Sequence, residues 1–170
     1  LKEDQSLSIE KQVQLLEKTY RLHQSLLELS KRKEQLIKDN SIDDLRSVLM
    51  DERKHVQAVQ QLEEKRIAAT NEWFQTHAPQ VEEQTIQQVI EHLNDQAEKE
   101  KLQKLYEDFI YILADLKNQE ALNRELMEQS LQLVELSLDL MKPSYEKNMN
   151  YDKKQVQKNQ TGQSVFDSKA

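Results

Sequence analysis

Cysteine is absent from the 170-residue sequence. That excludes a disulfide framework and any thiolate site, and it fits a reducing compartment. One Gly and two Pro leave little turn material for a β-sheet. The single glycine, Gly162, lies near the end of the chain. Neither a Gly-rich phosphate loop nor a nucleophile elbow is therefore expected. Aromatic residues are only 5%, so aliphatic side chains must supply most of the core. No long uninterrupted apolar run occurs, so neither a transmembrane span nor a secretory h-region is expected. The sequence opens on Leu1 rather than Met, which suggests a trimmed start.

Positive charge is also in short supply, with 24 Lys and Arg against 31 Asp and Glu, a net −7. That argues against a general nucleic-acid binder and against docking on anionic lipid by charge. The imbalance is uneven. Residues 143–170 hold five Lys against three acids, so this tail is +2 and the remainder −9.

What remains is abundant Leu (24) and Gln (22) with 32% charged residues, a mixture of strong helix formers. The length fits one domain with a real core, at ~100–200 residues per domain. Apolar spacing of three and four predicts a first helix over Ser8 to Lys38, carried by Ile9, Val13, Leu16, Tyr20 and Leu27. Leu15, Leu22, Leu26, Leu29 and Leu36 form an adjoining stripe. Asp39-Asn40-Ser41 interrupts the pattern, and either Asn40 or Ser41 suits the N-cap of a second helix. That helix is expected over Ile42 to Thr76, with Glu63, Glu64, Lys65 and Arg66 as a solvated face. The short connection makes the two an antiparallel hairpin, and Pro79 lies just past the end of the second. A short third helix is expected over Thr85 to Leu93, and Trp73-Phe74 reads as a core cap where the hairpin meets it. A long fourth helix is expected from near Ala97 to Met141 or Lys142, where Pro143 stops it. The fold class is thus all-α, a long hairpin plus a short and a long helix. It divides into a helical domain over 1–142 and a polar tail over 143–170, disordered or ordered only by a partner from 146.

The most informative stretch is Leu126 to Met141, where nine of sixteen residues are Leu, Met or Val. Met127, Leu131, Val134, Leu138 and Met141 share one face, and Leu126, Leu133, Leu136 and Leu140 a second. Together they span ~220° of the wheel, against ~100° for a helix packed on one side only. Two readings are open. Either the helix is buried on both sides within its own bundle, or one face packs at home and the other receives a partner helix.

Catalytic and metal constellations are weak. Glu52-Arg53-Lys54-His55 matches Glu-x-x-His, but di-iron bundles need two such matches. The residues three before His23, His77 and His92 are Tyr20, Phe74 and Val89. No Cys-based or His-x₃-His zinc spacing exists. No enzyme, cofactor or metal is expected.

The stretch from Asn123 resembles the C-terminal helix signature of the FlgN family of flagellar export chaperones. That signature is roughly Asn-x-x-Leu-Leu-x-Gln-Ser-Leu-x-φ-Val-x-x-Ser-Leu-Asp-Leu, with φ apolar. Asn123, Leu126, Gln129, Ser130, Leu131, Val134, Ser137, Leu138, Asp139 and Leu140 match it, while Met127 stands where Leu is usual. Leu26-Leu27-Glu28-Leu29-Ser30, Lys33 and Glu63-Glu64-Lys65-Arg66 are similar to the family's hairpin. The end of the chain, Ser164 to Ala170, looks like the short tails of Bacillus-type members. The resemblance implies a cytoplasmic, substrate-specific chaperone of the flagellar type III export system. Its implied partners are the C-terminal segments of the hook–filament junction proteins, and the export apparatus that receives them. The implied client site takes in both faces of the signature helix together with Asn123, Ser130 and Ser137. The serines and the asparagine either fix register or are small packing positions. Rival readings are a self-associating helical scaffold, with a homodimer left open, a ferritin-like metal protein, and a regulator acting through the same helix.

Overall fold

The computed structural model describes the backbone of residues 2–160 and the side chains of residues 9–142. Four helices follow one another: α1 (Lys2–Lys38), α2 (Ile42–His77), α3 (Ile86–His92) and α4 (Gln96–Gln160). Among the described residues there is no strand. The all-α expectation is met, and the ends of α2 and α3 lie within a residue of their expected places.

Side-chain bonds fix the register of the α1–α2 hairpin. Lys11 meets Glu72, Gln12 meets Thr70, Ser25 meets His55 and Lys33 meets Glu52. Numbers rise on α1 as they fall on α2, so the pair is antiparallel. The turn is made by Asn40, which has φ 55°. The Ser41 amide donates to Leu36 O (3.0 Å) and the Asn40 amide to Ile37 O (3.2 Å). This is a Schellman ending, and Asn is among the few non-glycine residues that take the left-handed conformation at modest cost. Asn40 therefore closes α1 and leaves Ser41 to begin α2, where Asp43 and Asp44 suit the positive helix end.

The main core sits where α1 begins and α2 ends. Ile9, Val13 and Leu16 meet Trp73 and Phe74, with Ile86, Val89 and Ile90 of α3 and Leu102 of α4. Trp73 and Phe74 contact edge to face at 5.0 Å, and Phe74 is fully buried. Burying such a side chain contributes about 1.5–3 kcal/mol. Short α3 is held as a lid on this core. Its Thr85 hydroxyl accepts from the Gln88 amide at 3.2 Å, and its buried face is Ile86, Val89 and Ile90. Asp95 caps α4 in the same way, accepting from the Glu98 amide at 3.0 Å.

Two boundaries differ from expectation. α1 begins at Lys2, six residues earlier than its apolar pattern. α4 continues through Pro143 to Gln160. A proline inside a helix removes one backbone hydrogen bond and crowds the carbonyl four residues back, here Asp139. That is a local penalty of ~3 kcal/mol, and it did not become the stop that was expected. From residue 161 the expected disordered tail lies outside the described residues.

Candidate functional site

The chain divides into two units, 1–126 and 127–170. In the first, α4 runs beside α1 in the same direction. Phe109 stacks edge-on against His23 at 5.0 Å, and Gln119, Glu120 and Asn123 meet Glu34, Ser30 and Lys33. At this level the helices are joined by a polar cluster. Lys33 Nζ lies 2.8 Å from Glu52 and 2.9 Å from Glu120. Burial works against the Lys33 charge, but hydrogen bonds to Glu52 and Glu120 outweigh it and raise its pKa above the ordinary 10.5. Burial likewise opposes the Glu120 charge, yet bonds from Ser30 and Lys33 hold its carboxyl below the usual range.

Asn123 belongs to this cluster. It is buried, and its amide donates to Ser30 O at 2.8 Å and Ser30 Oγ at 3.0 Å. These two bonds tie α4 to α1 at this level.

A groove of about 540 Å³ opens among α1, α2, α3 and α4, lined by Leu16, Arg66, Thr85, Tyr106, Phe109 and Leu113 among others. Glu63 and Arg66 are paired at its lip and half-buried, so only Glu64 and Lys65 of the expected solvated face are exposed. The Arg66 hydrogen bond holds the Glu63 carboxyl low against the opposing effect of burial. The Glu-x-x-His match is occupied too. Glu52 pairs with Lys33, while His55 donates from Nδ1 to Asp51 O and its Nε2 shares a 2.8 Å hydrogen bond with the Ser25 hydroxyl. Among the described residues no group of three His, Asp or Glu is arranged to hold a metal.

The second unit carries the signature stretch. Every residue from Met127 to Met141 is exposed or half-exposed, on both apolar faces alike. Leu131 and Leu138 are 60% and 58% exposed on one face, and Leu136 and Leu140 are 58% and 72% exposed on the other. Met127, Leu133, Val134 and Met141 are also open, Leu126 is half-buried, and Ser130 is exposed. The Ser137 hydroxyl donates back to Leu133 O at 2.8 Å, a common helix-surface bond. Within this unit both apolar rows are open.

The family model for FlgN protein matches residues 8–159. The chain belongs to the FlgN family. A relative in Bacillus subtilis, the uncharacterized protein YvyG, is 34% identical over 151 residues, covering 88% of this chain and 91% of that protein. No solved structure matches. FlgN proteins are a family of flagellar export chaperones, and this member shares that general role. Among the described residues no helix is long and apolar enough to cross a membrane.

The Ser30–Lys33–Glu52–Glu120 cluster is not anticipated by the sequence pattern. Its only trace there is that Ser30 and Lys33 fall on the inward side of α1, where Leu26, Leu27 and Ile37 are buried.

Proposed function

We propose that this FlgN protein is a cytoplasmic chaperone for the hook–filament junction proteins, holding their C-terminal helical segments and handing them to the export apparatus. Residues 1–142 act as the chaperone domain, with 143–170 as an appended tail. The observation that carries the reading is the open apolar helix over 127–141. A monomeric protein rarely leaves so many consecutive-turn leucines in water unless a partner covers them. An amphipathic client segment laid on that surface would be kept from assembling early. No nucleotide chemistry is needed, because holding a client requires only differential binding.

Isothermal titration calorimetry against C-terminal segments of the junction proteins, with flagellin as control, tests this. Saturable binding to the junction segments alone is the expected result. A folded chain that binds neither would refute it, and self-association through the same helix would then become the leading account.

A further inference from the structure

The signature helix carries two apolar rows of similar exposure. At ~100° per residue, Met127, Leu131, Val134, Leu138 and Met141 fall within about 80° of one another. Leu126, Leu133, Leu136 and Leu140 make a second row of about the same width. Ser130 and Ser137 lie between the rows. A single helix engages a stripe of only ~100°. Seated over the serines, it would reach Leu133 and Val134 and leave both outer edges in water. Those edges are Leu131 with Leu138, and Leu136 with Leu140, and they are as exposed as the middle of the surface.

We propose that the client seats two helices on this stretch at once, one along each row, so that α4 becomes the middle of a three-helix arrangement. This rests on the chaperone reading above. The remaining side of the helix carries Glu128, Glu135 and Asp139, the last of them bridged to Lys142 at 3.5 Å, so Glu128 and Glu135 supply most of its negative charge. Each client helix therefore presents an apolar stripe flanked by Lys or Arg on the side that meets this strip. A client offering one amphipathic helix fills half the surface and binds correspondingly less well.

The outer edges provide the test, because no single helix touches both. L131D/L138D and L136D/L140D are prepared in the full chain and titrated with a full-length junction protein. The corresponding Gln pairs, which keep helix propensity, repeat the measurement, and circular dichroism checks the fold. Each pair should weaken Kd by more than about tenfold while melting stays unchanged. If either pair leaves Kd within about twofold of the parent, one helix occupies the site and the proposal is overturned. If the free chain sediments as a dimer that one pair dissociates, a second copy covers that row, which also overturns it. If the parent chain binds no junction protein, the chaperone reading itself fails and the proposal falls with it. Binding by the parent with loss in only one pair refutes the two-helix arrangement alone.

Discussion

Replacing Lys33 with Met removes one charge from the meeting point of three helices while keeping most of the side chain's stem. The side chains of Lys33 and Glu52 are only 11% and 14% exposed, and Lys33 Nζ is 2.8 Å from the Glu52 carboxylate. Without the ammonium, Glu52 is left covered and unpaired. Breaking a buried pair in this way costs about 3–5 kcal/mol. Glu120 is 41% exposed, so its share of the interaction is screened and the lower end applies, about 3 kcal/mol. For a chain of this size that is a fall in Tm of ~6–12 °C, at ~2–4 °C per kcal/mol. Thermal melts followed by circular dichroism measure it. Adding Glu52→Gln should restore part of the loss, because the orphaned charge is then gone. A fall below ~3 °C for Lys33→Met would mean that water reaches the cluster and that the pair behaves as a surface one. The account of how α4 is held to the hairpin would then be wrong.

The same cluster sets other outcomes. Asn123→Ala removes two hydrogen bonds to Ser30 and should lower stability by ~1–2 kcal/mol while leaving client affinity unchanged; lost binding with unaltered melting would put Asn123 back on the client surface. Stability should be flat across neutral pH and fall at both extremes. Glu120 is depressed, so its contribution is present above its ordinary 4.5 and is lost as pH drops through the lower folded value. Lys33 is raised, so its contribution is complete below 10.5 and is lost as pH climbs through the higher folded value. Urea melts at about pH 3, about pH 7 and about pH 11 read this directly; a midpoint that moves most between neutral pH and about 8 would contradict it.

Periodicity made α2 and α3 legible almost to the residue, because their buried positions recur regularly and Thr85 and Pro79 mark ends by known chemistry. The hairpin was legible from the short break at 39–41, but the roles within it were not. Asn40 is equally suited to starting a helix and to a left-handed ending, and only the backbone decides between them. The polar cluster was hidden for a different reason. Lys33 and Glu120 are 87 residues apart, and a single sequence carries no sign of that pairing. The signature stretch was recognisable as unusually apolar. Its exposure on both sides was not, since composition reads the same for a helix at the centre of a bundle and for one standing in water.

That standing helix raises the question of what keeps it helical. From 127 to 142 no side chain is buried, so tertiary packing contributes little there. An isolated helix of about sixteen residues is marginal in water, chiefly because starting the first turn is unfavourable by a factor of about a thousand. Here the first turn is already made. α4 is one continuous helix from Gln96, and its earlier turns are anchored at Leu102 and Asn123. Each residue after 126 therefore only extends an existing helix, with Leu, Met, Glu and Gln as good propagators and Val134 the single β-branched residue up to 142. The buried part of α4 thus serves as a nucleus for the part that stands in water.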